Sequence, residues 1–283
     1  MTKLLRAGFA RLKKDKMFWI GIIFMVVMGL FVPVRNYFDA LEYGYMPSFD
    51  GYFFGFPLFT GFIAAVFVSL FVGTEYSDGT IRNKIVVGHT RSAIYFSNLV
   101  VNIVAALITN LAFIIAVSAV GIPLFGPLTI GTRGVLLLLS ASVLMMVAFT
   151  AIFTLLGMLI QNRTIVAIVS ILGVVILFVA AITINQRLSE PEFYDSFTYE
   201  VTEDSGVVTD VSEGVEKVPN PNYLQPRQRT IYEFFYDLLP TGQAMQISQR
   251  TAPHPWHMQL YSLLIIVITT ACGVFFFRRK DLK

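Results

Sequence analysis

His254-Pro255-Trp256-His257 places two imidazoles three positions apart, close enough on a helical turn to share a metal ion. With Pro and Trp between them, the pair reads better as an anchor at a membrane surface than as a metal site. Glu190 and Glu192, two apart in an acidic stretch, read as solvated carboxylates rather than an acid–base pair. Cys272 is the only cysteine, which excludes an internal disulfide and any multi-cysteine metal site. No His-Glu-x-x-His, no Gly-x-Ser and no Gly-Lys dipeptide occurs, so zinc hydrolysis, a serine nucleophile elbow and a P-loop are all missing. The chain is therefore expected to hold no cofactor and to catalyse no reaction itself.

The composition explains the scarcity. Hydrophobic residues make up 55% of the 283 positions and charged residues 14%, with a mean hydropathy of +0.69. A soluble domain carries about 25% charged residues, so this chain cannot clothe a water-soluble globule. Six stretches, Met17–Val34, Phe53–Gly73, Tyr95–Val120, Val135–Ile160, Ile165–Asn185 and Gln259–Phe277, lack Asp, Glu, Lys, Arg and His and are long enough to span a bilayer. Hydrocarbon satisfies no backbone group, so each must be a helix. The fold class is an all-α polytopic membrane protein with six spans.

Orientation follows the basic residues. With both termini cytoplasmic, the inner segments 1–16, 74–94, 161–164 and 278–283 hold 14 of the 21 basic and 4 of the 18 acidic residues. No small-residue cleavage site follows the first apolar stretch, so the N-terminus is expected to be retained. Residues 1–16 fit an amphipathic interfacial helix with Leu5, Gly8, Phe9 and Leu12 on one face; a basic topogenic tail is the alternative. Spans one to five fill 17–185, an outer segment occupies 186–258, and the last span with a basic tail fills 259–283.

Loop 74–94 is richer than a connector needs to be. Ile81, Ile85 and Val86 recur at helical spacing among charges, Asp78 or Thr80 could cap the helix, and Gly88 could end it. Held between two spans, such a helix would be a knob offered to the cytoplasm. In the outer segment, Phe197, Tyr199 and Val201 alternate toward Val207 and Val211 across Glu203-Asp204-Ser205-Gly206, predicting a hairpin. Ile231, Phe234, Phe235 and Leu238 predict a helix with an apolar face, broken at Pro240, with Thr241 capping a second through Ile247. Together these two helices would form a lid. On the third span Asn98, Asn102 and Thr109 share a face with Ala105, a stripe better suited to helix packing than to cargo.

The run Glu75-Tyr76-Ser77-Asp78-Gly79-Thr80-Ile81-Arg82-Asn83-Lys84, followed by Gly88 and Arg91, resembles the type-2 ATP-binding-cassette (ABC) exporter permeases. That family carries Glu-Tyr-x-x-Gly-Thr-Ile/Leu-Arg in a cytoplasmic coupling helix. Tyr236-Asp237-Leu238-Leu239-Pro240-Thr241-Gly242-Gln243 is similar to the stretch before the final span in some bacterial members. The resemblance implies a permease subunit exporting an amphipathic, peptide or lipid-like substrate, partnered by two ABC ATPases that bind ATP and Mg and by a second permease chain, homodimeric or heterodimeric. It implies a bacterial plasma membrane, and a coupling site of Glu75, Gly79, Thr80, Arg82, Asn83, Lys84, Gly88 and Arg91. It also implies that the second span, with seven phenylalanines from Phe53 to Phe71, lines a central cavity with the fifth. Membrane lipid is an expected partner and nucleic acid is not. A membrane sensor with a ligand-binding outer segment is the alternative reading.

Overall fold

The chain opens with α1 (Thr2–Leu12) and α2 (Lys16–Tyr43), joined by a short turn that ends on the N-cap Asp15. The computed structural model describes residues 1–204 and 207–281, with only the backbone over 197–216. In order come α3 (Asp50–Phe53), α4 (Pro57–Ser77), α5 (Thr80–Val86), α6 (Arg91–Phe125), α7 (Thr132–Leu159) and α8 (Arg163–Ser189). A hairpin of β1 (Phe193–Asp204) and β2 (Val207–Pro219) leads to α9 (Pro226–Leu238), α10 (Pro240–Gln249) and α11 (Pro255–Arg279). Among the described residues six helices are long and apolar enough to cross a membrane: α2, α3 with α4, α6, α7, α8 and α11. Five of them cover a predicted stretch whole and extend past it at both ends; α7 begins before Val135 and stops one residue short of Ile160. An even number of crossings puts both termini, α1 and α5 at one end of the bundle, the terminal face; the hairpin and α9–α10 lie at the other.

Among the described residues three helices start at this face on a capping oxygen. Asp15 accepts from the Phe18 N–H at 2.9 Å, Thr90 from Ala93 at 3.3 Å, and Asn162 from Thr164 and Ile165 at 2.9 and 3.1 Å. Spans then pack through small residues. A Cβ on Gly29 of α2 would lie 2.9 Å from Ala116 of α6, and one on Gly61 of α4 would lie 3.0 Å from the Phe149 ring of α7. Of the expected polar stripe of α6, Asn102 serves packing, Thr109 bonds back to the Ala106 carbonyl of its own helix, and Asn98 faces Glu75 of α4. Asn102 donates to Thr154 of α7 at 3.0 Å, and Thr60 of α4 donates to Asn110 at 2.6 Å.

β1 and β2 pair antiparallel with Val201 opposite Val211 and a register shift at Thr202/Glu203. The predicted turn residues Ser205 and Gly206 lie outside the described residues. The helical pair departs from expectation in two ways. Ile231, Phe234 and Phe235 are exposed (51%, 45% and 48%), while Tyr236 and Asp237 turn inward. Thr241 caps nothing; its hydroxyl donates to the Leu177 carbonyl within α8 at 2.8 Å. Gln243 donates to the Asp237 and Met258 carbonyls and accepts from Ser262 at 2.7 Å. Pro240 opens α10 at its first turn, and α10 is wedged among α4, α7 and α8 rather than resting over them as a lid. Gly242 permits this, since a Cβ there would stand 2.1 Å from the Tyr236 carbonyl oxygen.

Candidate functional site

α4 ends at the terminal face and the chain reverses at Gly79, whose φ of +66° favours glycine. Gly79 is also the N-cap of α5, so neither the Asp78 nor the Thr80 side chain caps that helix. At the other end Gly88 takes φ +94°; its N–H bonds the Ile85 carbonyl at 2.9 Å and His89 N–H bonds that of Lys84 at 3.1 Å. That pair of bonds is a Schellman stop. Two glycines thus bound a seven-residue helix whose orientation is fixed by the spans on either side.

Glu75, one turn before the reversal, is 2% exposed. Its carboxylate accepts from Lys84 of α5, from Arg11 of α1 at 2.5 Å and from Asn98 of α6 at 2.9 Å. One buried anion therefore joins four elements. Burial pulls the Arg11 guanidinium below its ordinary pKa, and the Glu75 charge acts against that shift. Arg11 also lies 3.7 Å over the Phe71 ring of α4. Sequence reasoning missed Arg11, although Leu4, Gly8 and Leu12 share its helix face. A cation on an apolar stripe is a signal that an anion waits opposite.

The other cations divide into two kinds. Lys84 turns inward onto Glu75. Arg91 reaches across to α11 and donates to the carbonyls of Phe277 and Arg278, both at 3.2 Å, and of Lys280. A guanidinium at the negative end of a helix satisfies carbonyls that would otherwise lack donors. Arg82 and Asn83 remain exposed, together with Val86 (84%) and Val87 (76%). Val86 is thus not part of the buried stripe, which consists of Ile81 and the half-buried Ile85. Thr80 is half-buried at the helix start. Below the reversal lies a cavity of about 290 Å³ lined by Glu75, Tyr76, Gly79, Ile81, Arg82 and Gln161.

Tyr76 extends the network to two more spans. Its hydroxyl donates to the Met158 carbonyl of α7, and Lys280, just past α11, donates to Tyr76 at 3.0 Å and to Met158 at 3.1 Å. Burial pushes the Lys280 ammonium down to about 8. Below pH 8 the amine is charged in both folded and unfolded chains, and its desolvation cost is fully present. Between about 8 and the ordinary lysine value the folded chain sheds the proton while the unfolded chain keeps it, so stability rises with pH. Melting of the purified chain should therefore gain on that of Lys280→Met between pH 7.5 and 9.5; parallel profiles would rule this out.

The remaining candidates place differently. His254 and His257 have ring centroids 5.0 Å apart, and among the described residues no third metal-ligating side chain joins them. The phenylalanines of α3 and α4 are mostly core: Phe53, Phe54, Phe56, Phe67 and Phe71 are buried and Phe59 is half-buried. Only Phe62 faces outward, stacked on Phe178 of α8 at 5.1 Å. The aromatic wall expected to line a cavity is thus largely internal packing.

Residues 4–185, more than half of the chain, match the family model described as ABC-2 family transporter protein. The matched stretch runs from α1 almost to the end of α8 and contains the whole Glu75 network except the α11 contacts. No curated protein matches the chain significantly.

Proposed function

The chain belongs to the ABC-2 transporter family, and from that membership we propose that it is the permease subunit of an ATP-driven exporter, worked through α5 by separate ATPase subunits. Family membership makes it the membrane component of an ABC transporter and displaces the sensor reading. The observation that carries the finer reading is the way α5 is mounted. It is bounded by Gly79 and Gly88, anchored inward by Ile81 and Lys84, and leaves Arg82, Asn83, Val86 and Val87 for a partner. A mixed patch of one cation and two valines suits a cleft with acidic or carbonyl groups around an apolar floor.

Force on α5 has short routes into the bundle. Lys84 and Glu75 pass it to α4, Asn98 to α6 and Arg11 to α1. Arg91 and Tyr76 pass it to α11 and α7. ATP and Mg are bound by the ATPases, two per assembly, and their closure drives the spans from inner to outer access. The excess of basic residues at the terminal face supports a cytoplasmic terminal face and an outer hairpin. Six spans do not readily enclose a pathway, so a second permease chain completes it, and the membrane is a bacterial plasma membrane. Phe62 and Phe178 on the surface shared by α4 and α8 suit an amphipathic, peptide or lipid-like cargo.

Extraction of the tagged chain from its native membrane in mild detergent, followed by mass spectrometry of co-purifying proteins, tests the subunit role. An ABC ATPase in comparable amount is the expected result. An intact, dimeric chain without one overturns it.

A further inference from the structure

α11 packs principally along α7 and only sparingly on α6. Between α6 and α11 the outer surface of the bundle opens into a groove of about 950 Å³. On the α11 side the groove is lined by Val267, Ala271, Val274 and Arg278, spaced as one helix face; Phe96 and Leu99 of α6 form the other wall. The small Ala271 gives the groove its depth. From Ile266 to Arg278 the lining runs about 18 Å along the helix, near the thickness of one leaflet's hydrocarbon of about 15 Å.

The charge sits at one end only. Arg278 and Arg279 close the groove at the terminal face, both exposed, and Arg279 is held 4.1 Å over the Phe275 ring. Among the described residues neither guanidinium has an acidic partner, in contrast to Arg11 and Lys84. An apolar trough one leaflet long with two unpaired arginines at headgroup depth is complementary to one class of molecule. We propose that the α6–α11 groove is a binding site for an anionic phospholipid, with an acyl chain along Leu99, Val267 and Ala271 and the phosphate between Arg278 and Arg279. Basic pockets between spans bind anionic headgroups through the same pairing of charge and depth. The site lies away from the α5 patch and does not depend on what the chain transports. It does adjoin the Arg91 clasp on α11, so an occupied groove would stiffen the connection between the last span and the Glu75 network.

Native mass spectrometry of the full-length chain, titrated with phosphatidylglycerol against phosphatidylcholine, tests this. The expected result is preferential retention of phosphatidylglycerol, weakened about 30-fold in Arg278→Gln/Arg279→Gln, at roughly fivefold per surface cation. Lys13→Gln/Lys14→Gln removes two exposed cations away from the groove and should keep the preference. Ala271→Phe fills the trough without changing charge and should abolish retention, as should Ala271→Leu if the larger ring prevents folding. Unchanged retention in the arginine variant, or in the folded Ala271 variants, overturns the site. Glycerophosphoglycerol competing as well as the whole lipid would also overturn it, in favour of a free-phosphate site.

Discussion

Glu75→Ala is expected to destabilise the chain by about 3–5 kcal/mol, the cost of leaving a buried charge without its partner. Arg11 and Lys84 would both lose their anion, and Asn98 its acceptor. Glu75→Gln should fall between, because the amide oxygen still accepts from Asn98 while the guanidinium is left uncompensated. Replacing all three charges together, Arg11→Leu/Glu75→Leu/Lys84→Leu, should recover much of the loss, since a buried ion network is often neutral against apolar residues of similar volume. Thermal unfolding in detergent reads the series. A Glu75→Ala chain that melts with the wild type would mean that the network is not buried as described.

Arg82→Glu with Val86→Asp is expected to lower transport, and ATPase activity in the assembled complex, by at least about tenfold. A central interface position costs 2 kcal/mol or more when lost, which is about 30-fold in affinity. The same substitutions should leave the melting temperature nearly unchanged, since exposed positions usually contribute within about 0.5 kcal/mol. Lys84→Glu supplies the contrast. It sets a second carboxylate against Glu75 and should lower the melting temperature before any question of coupling arises. Full transport by the Arg82/Val86 variant would remove α5 from the mechanism.

That contrast shows where the sequence stops being informative. Arg82 and Lys84 are equivalent in composition and stand two apart, yet one faces solvent and the other a buried acid. The spans were legible because burial in hydrocarbon imposes length and excludes charge along a continuous stretch. Gly88 was legible as the end of α5 because backbone conformation is a local property, whereas the start was expected on Asp78 or Thr80 and falls on Gly79. The partners of Arg11 and Arg91 were not, since they lie at Glu75 and at the end of α11, far along the chain. The phenylalanines from Phe53 to Phe71 are a related case, since the family resemblance implied a cavity wall without saying what each ring faces. Composition gives no facing element: α2 meets Phe59 and Phe67, α6 meets Phe56 and Phe59, and Arg11 of α1 lies over Phe71. The exposed apolar face of α9 is the mirror case: its periodicity was readable, but which side faces the bundle was decided by Tyr236 and Asp237.

A photo-crosslinking residue at Val86, activated in intact cells, tests most directly whether α5 is the handle. The position is 84% exposed and close to Arg82, so an adduct reports contact rather than disturbance. The account predicts one dominant product, an ABC ATPase, that is absent when the same residue is placed at Phe276 on the surface of α11. Products at Val86 that contain no ATPase, or the same adduct from Phe276, would contradict it.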